Sequence, residues 1–196
     1  MKYKIRNFEE GYIDPSEPNN IFLLNKKENL SLDIGCGEGE FIIELGKRNP
    51  NKFYLGIDIK YGRILKGLKK LNKDNVRNVK FMNFNASFLT DKIFFSKNIN
   101  EIYINNPDPW PKDRHSKNRI LTKEFLDTLF SIIKKKGEIN INTDSKEYLD
   151  FIKNQISNSK FKEYKENVNQ NLPITKFQNY YSSINKEIHS IKIIKS

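Results

Sequence analysis

The chain has 196 residues, of which 37% are hydrophobic, so it can bury one good core, and its length predicts a single domain over residues 1–196. Its 35 Lys and Arg against 24 Asp and Glu give a net charge of +11, which favours RNA, DNA or an anionic membrane as a partner. The single cysteine excludes an intrachain disulfide and a cysteine metal cluster and indicates a reducing compartment. With two distant histidines, no metal site is expected. Without a signal peptide or a long apolar run, a cytoplasmic protein is expected.

Strand and helix patterns alternate along the chain. The strands are predicted at 30–34, 53–57, 79–83, 101–105, 137–142, 161–166 and 187–194. The helices are predicted at 39–48, 62–72, 122–135 and 145–157. Thr122 and Ser145 are the expected N-caps of the last two helices. The alternation is typical of an α/β fold with a mostly parallel sheet and helices on both faces, whose ligands bind beyond the carboxyl ends of the strands.

Two segments are expected to be poorly ordered, and a lysine run is expected at the end of a helix. Residues 1–20 contain Pro15 and Pro18 and are predicted to form a flexible N-terminal arm. The polar stretch 166–173 is expected to be poorly ordered as well. The lysine run at 134–136 is expected to end the third helix, where cations interact favourably with the helix dipole.

A glycine-rich turn follows the first predicted strand. Asp33 precedes glycines at positions 35, 37 and 39, which let the backbone turn tightly and approach a cofactor closely. Chains that bind dinucleotides carry G-x-G-x-x-G instead, so the spacing counts against a nicotinamide-dependent oxidoreductase. A carboxylate beside the turn would repel a pyrophosphate but suits a cofactor with an ammonium and a sulfonium. The motif therefore favours S-adenosylmethionine.

A second acid, Asp58, ends the neighbouring predicted strand. A carboxylate there can accept hydrogen bonds from both hydroxyls of a ribose. S-Adenosylmethionine and a nicotinamide dinucleotide would both offer such a ribose. The alternative for Asp33 and Asp58 is that each is an ordinary solvated acid at a strand end. Cys36, inside the glycine turn, is interpreted as a small apolar filler rather than a nucleophile.

A proline-rich segment follows the fourth predicted strand and reads N-N-P-D-P-W-P-K-D-R-H-S-K-N-R over residues 105–119. Its prolines push the preceding residues toward extended conformations, so Asp108 and Trp110 should stand on a stiff backbone. Trp110 is compatible equally with base stacking and with a lid over a local core. Cations follow, which suits a nucleic acid but also describes a solvated face. They are Lys112, Arg114, Lys117 and Arg119.

Together these motifs resemble the bacterial tRNA (guanine-N7)-methyltransferases. The resemblance rests on D-I-G-C-G at 33–37, G-I-D at 56–58, P-D-P-W-P-K-x-R-H at 107–115 and T-D at 143–144. It implies a Rossmann-like class I methyltransferase fold with about seven strands and a C-terminal antiparallel strand. It also implies methyl transfer from S-adenosylmethionine to N7 of the variable-loop guanosine, position 46, of tRNA.

The resemblance implies roles for individual residues. For the cofactor these are Asp33, Gly35, Gly37, Asp58, Asn85 and Asp108, and Asp108 is also the catalytic candidate. For the tRNA substrate they are Lys112, Arg114, Asp144, Thr175, Lys176, Phe177 and Gln178. Three residues depart from the family pattern. Asn85 and Gln178 replace acids, and Asn185 replaces a glycine whose left-handed conformation Asn tolerates.

Two alternatives from other classes remain. An amino-methyltransferase acting on another nucleic acid or on a protein would typically carry N-P-P-Y, and Asp108 stands in place of its second proline. A non-catalytic RNA-binding protein with a decayed cofactor pocket is slightly favoured by Asn85 and Gln178, but four intact acids argue against it. These are Asp33, Asp58, Asp108 and Asp144. Both a monomer and a homodimer fit the sequence.

Overall fold

The computed structural model describes residues 10–91, 93–94, 97–167 and 172–196, with the backbone alone at residues 113, 176–178 and 182. Its strands are β1 (Leu30–Ile34), β2 (Phe53–Asp58), β3 (Val79–Asn83), β4 (Ile99–Asn105), β5 (Ile133–Thr143), β6 (Lys165–Glu166) and β7 (His189–Ile194). Its helices are α1 (Pro18–Asn25), α2 (Glu40–Arg48), α3 (Tyr61–Asp74), α4 (Lys123–Ile132), α5 (Lys146–Asn158) and α6 (Lys176–Ser183).

The strands form one sheet in the order β3-β2-β1-β4-β5-β7-β6. The first five strands pair in parallel, and β7 pairs antiparallel with both β5 and β6. The predicted α/β, Rossmann-like fold with a C-terminal antiparallel strand is confirmed. The strand order reverses between β1 and β4, which is where such sheets bind ligands at the carboxyl ends of their strands.

The sheet is buried on both faces because helices cover each side. All five residues of β1 are buried, including the polar residues Ser31 and Asp33. One core cluster contains Leu32 and Ile57, and the other contains Phe41 and Phe81. The longest described helix, α3, has 14 residues, and no helix in the described ranges has the length and apolar character needed to cross a membrane.

Side-chain caps begin two of the helices as predicted. Thr122 Oγ1 accepts a hydrogen bond from Phe125 N at 3.3 Å, and Ser145 Oγ accepts one from Tyr148 N at 3.2 Å. These bonds satisfy backbone donors that the first turn of a helix leaves without an intrahelical partner. The predicted starts of α4 and α5 are therefore confirmed.

The C-terminal end of the helix predicted at 122–135 is wrong. α4 ends at Ile132, and the lysine run at 134–136 belongs to β5. Fully buried Ile133 pairs in register with Ile99 of β4, so strand pairing overrides helix propensity. The cation at the end of α4 is instead Lys195, whose Nζ donates to the carbonyls of Phe130 at 2.6 Å and Ile133 at 2.9 Å.

The structure also contains elements that the sequence patterns did not predict. α1 has Pro18 in its first turn and buries Leu24, and α6 lies before β7. Ile13 N donates to the carbonyl of Phe81 at 2.8 Å, so the chain before α1 contacts the edge strand β3. The predicted flexible arm begins with residues 1–9, which lie outside the described residues, as do 168–171 of the polar stretch. The strand predicted at 161–166 is reduced to two residues, Lys165–Glu166.

Candidate functional site

A cavity of about 790 Å³ opens at the carboxyl ends of β1, β2 and β4. Its wall includes Gly35 after β1, Asp58 at the end of β2, Asn85 after β3 and Asp108 after β4. The cavity lies where the strand order reverses, as expected for the ligand site of an open α/β sheet. The structure thus brings the glycine turn and the proline-rich segment, which are far apart in sequence, to one site.

The glycine turn leaves room for a ligand. Gly35 and Gly37 have φ of 77° and 60°, in the left-handed region that favours glycine. A Cβ atom at either position would meet no described atom within 4 Å, so the space beside the turn is open. Gly39 has a different role, because a Cβ there would collide with the ring of Phe81. The first two glycines therefore form a cradle, and the third permits close packing of α2.

Asp58 ties the glycine turn to the start of α3. Its buried carboxylate accepts hydrogen bonds from Gly37 N at 3.0 Å and from Lys60 N at 2.7 Å. Arg63 Nη1 lies 3.7 Å from Asp58 Oδ2. Each carboxylate oxygen retains acceptor capacity for a ligand hydroxyl. Lys60 and Arg63 also line the cavity and were not predicted, although their closeness to Asp58 in sequence was a usable signal.

Asp33 lies beneath the glycine turn rather than in the cavity wall. It is 2% exposed, and burial together with the negative charge of Asp58 raises its pKa to about 8. Its carboxyl is therefore mostly neutral at pH 7, and a ligand ammonium would favour its ionised form. Burial likewise raises the pKa of the Cys36 thiol, which agrees with a packing role for that residue.

Asn85 has a local structural role in addition to lining the cavity. Its Oδ1 accepts a hydrogen bond from Ser87 N at 3.0 Å and so caps the short 3-10 turn Ala86–Phe88. One lone pair of this oxygen is thus already used by the backbone. An adenine bound here would have to use the remaining lone pair or the Asn85 amide nitrogen.

Two of the three prolines do not hold the preceding residue extended, so the prediction is wrong for Trp110, one of its two named residues. Asn106 and Trp110, which precede Pro107 and Pro111, have φ of 47° and 43°. Asn106 N donates to the carbonyl of Asn142 at 2.8 Å, which prolongs the pairing of β4 with β5 before the chain turns away. Tertiary contacts therefore override the local preference of residues that precede proline.

Arg119 is not part of a solvated cationic face, although Lys112, Arg114 and Lys117 are exposed. Its side chain is only 8% exposed and donates hydrogen bonds to the carbonyls of Pro109 and Trp110. Sequence could not reveal this burial, because the residue looks like one more cation in a basic run. Among these four cations, Lys117 and Arg119 line the cavity.

Trp110 combines the two roles that its sequence context allowed. Its indole lines the cavity and also packs edge-on against the ring of His115, with centroids 5.8 Å apart and planes at 87°. This contact supports a packing role for His115. Part of the indole therefore packs in a local cluster even though the residue borders the ligand space.

Comparison with known proteins identifies the family. Residues 27–191 match the model of a family described as putative methyltransferase. The chain is 33% identical over 166 residues to a tRNA (guanine-N(7)-)-methyltransferase from Alkaliphilus metalliredigens, which covers 82% of this chain and 77% of that protein. The chain belongs to the tRNA (guanine-N7)-methyltransferase family.

Another family member shows that the lengths differ. The chain is 31% identical over 158 residues to the Thermotoga maritima tRNA (guanine-N(7)-)-methyltransferase, a match that covers 81% of this chain. The match covers 49% of the relative, so the chain spans about half the length of that protein. A solved antibiotic-related methyltransferase, 20% identical, superposes with a TM-score of 0.65 over 92% of both chains, which supports the fold.

Asp144 and Thr175, to which the family resemblance also points, are not part of the cavity wall. Asp144 follows β5 and is hydrogen-bonded by Lys186 and Tyr181. Burial alone would raise the pKa of Asp144, but these bonds and its own backbone N–H lower it. Thr175 is buried, and its carbonyl accepts from Asn179 N at 3.0 Å as α6 begins. Lys186 was missed by the sequence analysis, which offered no signal for this ion pair.

Three predicted residues and one departure complete the family comparison. Lys176, Phe177 and Gln178 belong to α6, but their side chains lie outside the described residues. Asn185 has φ of 54°, which confirms that it occupies the left-handed conformation expected of the family's glycine. In the described ranges, no group of three or more His, Cys, Asp and Glu side chains is arranged to hold a metal ion.

Proposed function

We propose that the chain transfers the methyl group of S-adenosylmethionine to N7 of the guanosine at position 46 in the variable loop of tRNA. The observation that carries this proposal is the shared cavity of the glycine turn, Asp58 and Asp108. The names of the relatives support the same activity. Neither an amino-methyltransferase nor a dinucleotide-dependent enzyme accounts for all three features.

The residues of the cavity fit S-adenosylmethionine. The open space beside Gly35 and Gly37 admits the cofactor close to the backbone, and Asp58 can accept its ribose hydroxyls. The ammonium of the cofactor would favour the ionised form of the Asp33 carboxyl. Asn85 lines the part of the cavity where adenine would lie. Bound there, the cofactor supplies an electrophilic methyl on a sulfonium.

The target atom makes modest chemical demands on the protein. Guanine N7 carries an exposed lone pair, so no general base has to remove a proton before attack. The protein must align the base and offset the positive charge that develops on the purine. Asp108 is exposed at the cavity wall and can accept hydrogen bonds from the guanine N–H groups while countering that charge. We therefore assign the catalytic role to Asp108.

Two surfaces flank the cavity and would bind the tRNA. The exposed cations Lys112, Arg114 and Lys117 can contact phosphates next to the target base. Asp144 and the start of α6 would form the second surface, to which Lys176, Phe177 and Gln178 belong by position in the sequence and beneath which Thr175 is buried. This arrangement would place the guanine between the proline-rich segment and α6.

The proposed activity is tested with radiolabelled S-adenosylmethionine and two unmodified tRNA transcripts that differ only at position 46, guanosine or adenosine. We expect label in the guanosine transcript alone. Label in neither transcript, with retained RNA binding, would refute the enzyme and favour a non-catalytic RNA-binding protein. Equal label in both transcripts would refute the position but not the methyl transfer.

A further inference from the structure

We infer that Arg119 is a positioning residue that fixes the proline loop, residues 107–111, and thereby sets the place of Asp108 in the cavity. The inference rests on the proposed function, because Asp108 has its catalytic role there. Arg119 follows the loop and forms a bridge between it and the start of α5. Neither the family resemblance nor the cationic character of the segment points to this role.

Hydrogen bonds from one guanidinium connect the loop to α5. Arg119 Nε donates to the carbonyl of Pro109 at 2.8 Å, and Nη2 donates to the carbonyl of Trp110 at 3.3 Å. Nη2 also lies 2.7 Å from Glu147 Oε1, in the first turn of α5. Two successive loop carbonyls are thus held by one planar group anchored to a helix.

Burial shows that this guanidinium is committed to the interior. Arg119 is the only Lys or Arg in the described ranges that is buried. Its guanidinium carbon lies 5.5 Å from the ring centroid of Tyr148 and 4.8 Å from that of Phe151, both in α5. Burying a cation is unfavourable unless hydrogen bonds and charges compensate, and all of these contacts serve that purpose. Although Arg119 borders the cavity, its Nε and Nη2 are thus occupied by protein acceptors.

The loop needs such support because its backbone is strained. Trp110 has φ of 43°, an uncommon conformation for a bulky residue and one that a following proline disfavours. Strained backbone persists when surrounding contacts determine it. Since Asp108 directly precedes Pro109, fixing the carbonyls of Pro109 and Trp110 fixes the chain on one side of the carboxylate.

The chemistry of the side chain explains why arginine stands here. A guanidinium presents several donors in a rigid plane and can bond two carbonyls and a carboxylate at once. A lysine ammonium is a point charge on a flexible stem, so it can retain the charge without retaining the geometry. Arg119→Lys therefore separates positioning from charge.

The kinetic test compares Arg119→Lys and Arg119→Met with Arg48→Lys, a matched control whose guanidinium pairs with Glu44 at 3.1 Å on the exposed face of α2. We expect kcat to fall about tenfold or more in both Arg119 variants, with KM for tRNA and for cofactor changed less than about threefold. The salt dependence of tRNA binding should stay as in the wild type. An unchanged kcat with a raised KM for tRNA and a weaker salt dependence would show an RNA contact and overturn the inference.

A second readout does not depend on activity. Trp110 is the only tryptophan, so the indole fluorescence of the folded protein reports on the proline loop alone. Arg119→Lys should raise the acrylamide quenching constant by about twofold as the loop opens locally, whereas Arg48→Lys should not change it. Unchanged quenching and unchanged kcat in folded Arg119→Lys would contradict the inference.

Glu147→Gln provides a milder variant, because the Glu147 side chain is 64% exposed and its charge is partly screened. We expect a smaller rise in the quenching constant than in the Arg119 variants and a fall in kcat of about twofold. If the wild-type protein transfers no methyl group, the proposed function fails while the quenching comparison still decides whether Arg119 holds the loop.

Discussion

The two walls of the cavity are built in different ways. On one wall, backbone N–H groups of Gly37 and Lys60 hold the buried carboxylate of Asp58, so the cofactor side is formed by strand ends and turns. On the other wall, the side chain of Arg119 holds the loop that carries Asp108. From this comparison we expect the cofactor wall to tolerate little change in its backbone, and the substrate wall to depend strongly on the side chain of Arg119.

Removing the charge of Asp108 should have the largest effect. Asp108→Asn should lower the single-turnover methylation rate about a hundredfold or more, because a preorganised charge at the reacting base is lost. Cofactor affinity, measured by equilibrium binding, should change only severalfold, which would separate the two walls. Asp74→Asn, at a surface ion pair with Lys47, serves as the control. A rate near that of the wild type would remove Asp108 from the chemistry.

Changing the backbone of the cofactor wall should have the opposite signature. Gly37→Ala places a Cβ in the open cradle and strains a left-handed residue by about 1–2 kcal/mol, so cofactor affinity should fall about tenfold or more. Chemical denaturation and cofactor titration would measure both losses. Gly62→Ala at the start of α3 is the control, because its φ is ordinary and its surroundings are open. Equal cofactor affinity in Gly37→Ala and wild type would argue against a ligand at this turn.

We expect Asp33 to make cofactor binding depend on pH. Since its pKa is raised to about 8, the Asp33 carboxyl of the free protein is mostly uncharged at pH 6, and binding of an ammonium should release a proton. Affinity for S-adenosylmethionine should therefore increase as the pH is raised toward 8, by up to about tenfold per pH unit, and should level off above pH 8. Calorimetry in buffers of different ionisation enthalpy measures the released proton.

The same group has a defined effect on stability. Its pKa is higher in the folded protein than the 3.8 of an unperturbed Asp, so the folded state binds more protons between about pH 4 and pH 8. The free energy of unfolding should then fall as pH rises through this interval, and Asp33→Asn should weaken that dependence. Proton release that persists in Asp33→Asn would assign the titration to another group.

The exposed cations should have the smallest effect. Arg114→Gln should raise KM for tRNA only severalfold and reduce the slope of log affinity against log salt by about one, as expected for one lost phosphate contact. The matched control is Lys135→Gln, which changes an exposed lysine near the amino end of β5, whereas the cavity lies at the carboxyl ends of the strands. If both variants behave alike, the positive charge acts through long-range attraction rather than through contacts at the proline loop.

How much of the structure could be predicted from the sequence depends on whether the interactions are local or join residues far apart in the chain. Strands β1 to β4, the caps Thr122 and Ser145 and the left-handed Asn185 depend on local preferences and were predicted correctly, the strands to within two residues. The burial of Arg119 and the positive φ of Trp110 depend on contacts with α5 and could not be. Pairing of Ile133 with Ile99 likewise ended α4 before the predicted residue. The motifs thus predicted which residues form the site, but not the contacts that hold these residues in place.

The most direct test of the account is the position and chemistry of the methyl group on the RNA. Borohydride reduction followed by aniline treatment cleaves RNA at 7-methylguanosine, so mapping the cleavage after incubation with S-adenosylmethionine locates the modified nucleotide. We expect one new cleavage, at guanosine 46, that is present with the wild-type protein and strongly reduced with Asp108→Asn. Incorporated methyl without cleavage, or cleavage at other guanosines only, would contradict the proposed reaction.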